Sequence, residues 1–444
     1  MAQGNSQKSS PANINAVDIT SNSSSESVSL VNGMVRLQYF ESILKDSIKA
    51  TVIYYDLGNS INGQSVIEGL PLVGTEDVTL AFTDNNDVKL KVNLNVNEIT
   101  PFYEDANKTL TSLSLVSEEF IRNEGANSRL VHRYDGKISD HIESILKSGE
   151  RSLKTKKKCD IETTSNDYNF LGNGRKPYYI LNWLSKNSVP EGGEDDSAGF
   201  LFFETSEGYH YKSIDKLFAQ EKKKSFIFTN TSDKEKIPKG YDGKILEQRS
   251  DNSINAQAKF SIGAYNTKLV LFDPFHCKYE VIEKTAEESK KVKHAGKALP
   301  KFNKKFDSEY TRTTYMLVDT GSLPTGKGEA KGTDSEAEPQ EQVKKNDKKN
   351  FEAAITLNQA IRRYNQMFSA MMEITIAGDF SLHAGDVIYV DIPAVKAEKD
   401  DSINKQSGGL YIIADLCHLV TPDGTWTKLN LARDSFGRKG NHSR

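Results

Sequence analysis

Between Val88 and Val96 the chain switches character at every residue. Val88, Leu90, Val92, Leu94 and Val96 share one face, and Lys89, Lys91, Asn93 and Asn95 share the other. A period of two predicts a strand with one buried and one wet face, as antiparallel sheets and barrels need. The runs VRLQYFESI, IKATVIYYDLG and DVTLAFTD alternate in the same way, so residues 30–135 read as mostly β. FTDNNDVKLKV joins two of these strands as a hairpin, with Asn85 and Asn86 able to take turn dihedrals. SLVSEEFIRN then reads as a helix with Ser117 as its cap.

The pattern changes after residue 136. Ile138, Ile142, Ile145 and Leu146 fall on one side of a short helix. A second helix follows in KPYYILNWLSKNS, with Pro177 in its first turn. FLFFET and YHYKSI form a hairpin around Glu207 and Gly208, and KLVLFDPF and RTTYMLVD are further strands. Phe351, Ala354, Leu357, Ile361, Tyr364, Phe368 and Met371 step by three or four, predicting a helix from Phe351 to about Met372. MEITIAG, DVIYVDIP, GLYIIADLCHLV and WTKLNLARDS return to strands. Between the first two lies GDFSLHAGD, read as a strand–corner–strand element with Gly378 and Gly385 supplying the turns.

These elements divide the chain. Residues 1–29 are a Ser/Asn-rich leader, too polar to order itself and expected as a flexible arm or assembly tail. Residues 30–135 form a first β domain. Residues 136–320 form a mixed α/β middle domain, part of it available to lend strands to the β domains. Residues 321–350 are a flexible polar linker. Residues 351–437 are a helix plus a second β domain, and 438–444 a tail. The fold class expected is α+β, mainly β.

Composition narrows the function. A net charge of -3 gives no global basic field for nucleic acid. No apolar run is long enough for a membrane span, and no basic-then-apolar start marks a secretory signal. Cys159, Cys277 and Cys417 are odd in number and far apart, which argues against a disulfide framework.

Candidate chemistry is sparse. The phosphate loop, His-Glu-x-x-His helix, nucleophile elbow and EF-hand loop are all absent. His276 with Cys277, and Cys417 with His418, are adjacent pairs that point to opposite faces of a strand, so neither chelates as a unit. The acids Glu118 and Glu119, and EGGEDD at 191–196, sit in polar segments and read as solvated. The lysine clusters 154–158, 222–224 and 290–297 read as solvated loops, with phosphate or an acidic protein as the alternative contact. Aromatics near them are limited to Phe302 and Phe306, too few for a base-stacking platform. His383 has Asp379 and Asp386 only as sequence neighbours, so it reads as part of the corner. No catalytic, metal or cofactor residue is assigned.

The order of elements after residue 350 resembles a known family. The helix, ITIAGDFSLHAGDVIYVDIP and GGLYIIADLCHLVTPDGTWTKLNLARDSFG are similar to the last barrel of the central baseplate hub protein of T-even-like contractile phage tails. That family is related to the hub part of type VI secretion spikes. PYYILNWLS and GFLFFETSEGYHYKSIDKLF resemble its mixed middle domain, and the N-terminal strands fit its first barrel. The resemblance implies two tube-like antiparallel barrels per subunit and a homotrimer with pseudo-sixfold symmetry. It implies a tail tube protein above and a central spike protein below, with tape-measure and baseplate wedge proteins as further contacts. DNA would pass through the ring unbound. The location implied is the virion tail, assembled in the host cytoplasm, and no residue would carry catalysis. Two other classes stay open on the residues alone: a tail-associated cell-wall hydrolase using acids of the middle domain, and a nucleic-acid binder using the lysines. A non-phage contractile injection device is a variant of the hub reading.

Overall fold

The computed structural model describes residues 10–23, 26–105, 108–192, 197–229, 237–251, 255–264, 266–273, 277–284, 292–300, 303–306, 309, 313–317, 353–393 and 403–441. The 321–350 linker, His276, Phe302 and most of the acidic run at 191–196 lie outside them.

Alternation places the first seven strands: β1 (Asn13–Thr20), β2 (Ser27–Ser29), β3 (Met34–Ser42), β4 (Lys49–Asp56), β5 (Asp77–Thr83), β6 (Lys89–Asp105) and β7 (Lys108–Val116). In β6, Leu90, Val92, Leu94 and Val96 are buried, and Lys89, Lys91 and Asn93 face water. The β5–β6 turn takes its positive φ at Asp87, not at Asn85 or Asn86. The Asp84 carboxylate fixes that turn by accepting from the Asn86 and Val88 N–H groups at 2.8 and 2.9 Å. Ser117 precedes the helix Glu118–Glu124 as expected, but its hydroxyl makes no cap bond.

The leader expectation is corrected for Asn13–Thr20 and Ser27–Ser29, which are strands. β1 pairs antiparallel with β5 along its whole length, and Val17 and Ile19 are fully buried. Pairing supplies the backbone hydrogen bonds, and two buried aliphatics anchor a segment whose composition alone is polar. Residues 1–9 lie outside the described part.

The middle layer holds β8 (Arg133–Tyr134), β9 (Cys159–Ile161), β10 (Phe170–Leu171), β11 (Phe200–Thr205) and β12 (Gly208–Ser213). Pro177 opens the helix Pro177–Ser185. The β11–β12 hairpin needs Gly208: its φ is +131°, and a Cβ there would sit 2.1 Å from the Lys158 carbonyl oxygen. Leu130, Ile142, Leu146, Leu181, Phe200 and Tyr211 belong to this layer's own core.

Two further strands leave the middle region, β13 (Lys224–Ile227) and β14 (Gly243–Asp251). β15 (Thr267–Asp273), β16 (Lys278–Lys284) and β17 (Thr313–Leu317) make a separate small sheet. The long helix is Ala353–Met367, followed by β18 (Ala370–Ala377), β19 (Val387–Asp391), β20 (Gly409–Thr421) and β21 (Gly424–Arg433). The helix ends before the expected Met372 because Met371 and Met372 pair with β21.

The strands β19-β13-β14-β18-β21-β20 close on themselves through the β19–β20 pairing. β13 and β14 thus complete the C-terminal barrel from the middle of the chain. β20 is the junction. Its first residues pair with β19, a register shift falls between Ile413 and Asp415, and Asp415–Val420 then pair with β3. A bulge of this kind bends a strand and lets it change partners. From β3 the sheet runs on through β4, β7, β6, β5, β1 and β2, thirteen strands in all. Apolar residues of both halves, from Val17 and Leu80 to Ile388 and Leu431, form one continuous core. No helix among the described residues is long and apolar enough to cross a membrane.

Candidate functional site

The candidate site is a buried ionic seam where the middle layer meets the large sheet. Glu41 is on β3, at the same parity as the buried Leu37 and Tyr39, so its side chain points inward. It accepts from the N–H groups of Ser206 and Ala384 at 2.8 and 2.9 Å and from the Tyr39 hydroxyl at 2.9 Å. The His383 ring approaches it through Nδ1 at 3.4 Å, and Nε2 lies 3.6 Å from Glu207. Burial alone would push the His383 imidazole down; the Glu41 bond and charge outweigh burial and raise it. Burial would likewise raise Glu41, but His383 and the two N–H donors hold it below the usual carboxylate range.

The corner acids meet one of the lysine clusters. Lys224 Nζ lies 2.5 Å from Asp379, and Lys223 Nζ lies 2.8 Å from Asp386. Asp386 also accepts from the His383 N–H at 2.8 Å. Gly385 takes φ +90° as a turn residue. Gly378 has another reason to be glycine, since a Cβ there would come within 2.4 Å of the Thr425 methyl.

The same pairing recurs deeper in the seam. Lys157 Nζ sits 2.6 Å from Glu204 and 2.7 Å from Glu119. Glu204 further accepts from Ser117 Oγ at 2.6 Å and Ile48 N–H at 3.0 Å, and Glu119 from Thr155 Oγ1 at 2.6 Å. One ammonium therefore serves two buried carboxylates. Burial dominates at the fully enclosed Glu204 and raises it; at Glu119 burial is outweighed by Lys157, which lowers it. The reading of Glu119, Lys157, Lys223 and Lys224 as solvated is corrected: each is a partner in these pairs. The partners lie far apart in the chain, which hid the pairing. Glu41 and Glu204 were missed altogether. Their signal was an acid at an inward strand position.

This geometry binds elements together. Ser206 Oγ reaches His383 Nδ1 at 3.3 Å, the same ring nitrogen that faces Glu41. Cys417 is half-buried, and burial pushes its thiol up to about 11, away from the thiolate a nucleophile needs. It borders a shallow depression of about 450 Å³ on the outer sheet face, lined by both Lys49 and Lys428 and by Glu373 and Asp415. No cluster of metal-ligating side chains occurs among the described residues.

His418 packs between Tyr39 and Phe380 and shares a 2.9 Å hydrogen bond from Nδ1 to Thr427. Burial lowers its imidazole to about 4. The neutral ring is favoured in the fold, so its contribution is complete above the unfolded value near 6.5 and is lost as pH falls from there towards 4. At 1.36 kcal/mol per unit the loss approaches about 3 kcal/mol. His383, with the opposite shift, offsets part of it. Urea unfolding at pH 7.5 and pH 5 is expected to show a smaller drop for His418→Gln than for the unaltered chain. Equal drops in both would sink the assignment.

No family model matches the chain, and no curated protein matches it in sequence. Its fold is shared with solved tail proteins. It superposes on the 43 kDa tail protein of prophage MuSo2 from Shewanella oneidensis with a TM-score of 0.52 at 11% identity, covering 94% of this chain and 98% of that one. A tail protein from Neisseria meningitidis MC58 gives 0.51 at 10% identity, covering 94% and 96%. The agreement runs over nearly the whole of each chain.

Proposed function

We propose that this chain is the central hub subunit of a contractile phage tail baseplate. Three copies would form a ring joining a sixfold tail tube to a threefold spike, with a channel for DNA. The observation that carries the reading is the edge-to-edge joint between β3 and β20. It joins two β bodies of one chain into one continuous sheet, as an adaptor needs if three subunits are to present six similar faces. The shared fold with two tail proteins supports it. In this reading the buried ionic seam fixes the middle layer to the sheet, and no residue performs catalysis.

Negative-stain class averages of the purified chain test it. The expected result is threefold annular particles with a central hole and six similar lobes. Compact particles without a hole, at concentrations where the chain is fully folded, would count against a self-assembling ring.

A further inference from the structure

The lysine cluster at 154–158 is only partly spent on the fold. Lys157 closes the ionic seam. Lys154 and its neighbour Arg151 carry side chains with no ion pair or hydrogen bond among the described residues. Both border a surface cavity of about 480 Å³, a volume within the usual range for small-molecule sites. The helix Glu118–Glu124 and the turn Ala126–Ser128 form one wall, and residues 150–154 form the other.

The second wall is fixed by its backbone. The N–H groups of Leu153 and Thr155 donate to the Ile145 and Leu146 carbonyls, both at 2.9 Å. Arg122 Nη1 donates to the Leu153 and Lys154 carbonyls at 3.1 and 3.4 Å. Lys154 takes φ +53°, a backbone conformation few residues other than glycine adopt. Arg151 and Lys154 are thus carried on a loop that is tied down, while their charges stay unused.

The first wall supplies a third donor. Ser128 borders the cavity and is 9% exposed, yet its Oγ bonds nothing among the described residues. A buried hydroxyl normally has a partner, and the cavity is where one would sit. The acids nearby leave this donor set positive. Glu118 pairs with Arg122. Glu150 borders the cavity, but its side chain is 78% exposed and lies 3.1 Å from His132 Nε2.

We infer that this cavity binds a phosphate group, either free or as the monoester of a hydroxylated body. A planar guanidinium takes two oxygens, an ammonium takes a third, and the Ser128 hydroxyl donates beside them. A carboxylate has only two oxygens and would leave a donor idle. Glu150 could accept from a hydroxyl of a monoester's body, a contact free phosphate does not offer. The site is independent of the ring reading.

Isothermal titration of the full chain with glucose 6-phosphate, inorganic phosphate and glucose tests it. Both phosphates are expected to bind once per chain, and glucose not at all. Tighter binding of glucose 6-phosphate assigns the monoester; equal binding assigns free phosphate. Arg151→Gln with Lys154→Gln is expected to weaken both at least ~10-fold, as loss of a charged hydrogen bond implies. Ser128→Ala is expected to weaken them roughly 3-fold while the melting midpoint holds or rises, because it removes a buried hydroxyl that bonds nothing. A Ser128→Ala midpoint that falls, with phosphate affinity unchanged, would make the hydroxyl a structural group and overturn the site. No saturable heat from either phosphate at millimolar concentration overturns it too. So does glucose binding as tightly as its phosphate, or phosphate binding that the double variant leaves unchanged.

Discussion

Replacing Lys157 with methionine is expected to cost about 3–5 kcal/mol of folding stability, because it leaves two buried carboxylates without their cation. Glu204 is 0% and Glu119 3% exposed, so water cannot replace the ammonium. The hydrogen bonds from Ser117, Ile48 and Thr155 remain, but they do not neutralise charge. The same logic predicts a rescue. Adding Glu119→Gln and Glu204→Gln to Lys157→Met removes the unpaired charges, and most of the lost stability is expected to return. Relative to the unaltered chain, the single variant should recover as pH falls, since burial raises the Glu204 carboxyl and protonating it removes the unpaired charge. Guanidinium unfolding checks all of this. A single-variant loss under about 1 kcal/mol, or a triple variant no better than the single, would show that the seam is not held by this charge balance.

Arg363→Met is the second large effect, expected at a similar 3–5 kcal/mol. Arg363 is fully buried on the helix Ala353–Met367. Its guanidinium donates to Asp434 at 2.8 Å, to Asp215 at 2.9 Å and to the Lys293 carbonyl at 2.8 Å. Asp434 is itself 0% exposed and also accepts from the Ala295 N–H at 3.1 Å. One side chain thus joins the helix, the middle layer, the segment near residue 295 and the end of β21. Methionine keeps the stem and leaves Asp434 charged in the interior. Hydrogen exchange is expected to speed up first in 353–367 and 292–298, ahead of the barrel strands. A unfolding midpoint unchanged within error would contradict this account.

Strand identity was legible wherever one face is buried and the other wet, as in β6, because a period of two survives any fold that keeps that asymmetry. Pro177 and Gly208 marked their positions for local reasons, ring geometry at a helix start and positive φ in a turn. Composition misled at the N-terminus, where Val17 and Ile19 were outvoted by serines and asparagines. Helix period misled at Met371, whose spacing fits the stripe but whose backbone is claimed by β21. The seam was not legible, since Glu41 and His383 are 342 residues apart and nothing local announces their meeting. What could be read was the oddity of Glu41 itself, an acid in step with Leu37 and Tyr39. The circuit of the barrel was equally hidden, because β13 and β14 reach it from the middle region.

The joint between β3 and β20 also sets a timetable. Ser42 and its partner Asp415 are separated by 373 residues. At ~5–20 residues per second, a ribosome would need roughly 20–75 s between making the first strand and making the second. For that interval the nascent N-terminal half carries an unpaired β3 edge, with Phe40 beside it. An open edge is a template for pairing with another chain. The chain is therefore most exposed to misassembly while it is being made, and slowing synthesis between residues 117 and 409 should lower its soluble yield.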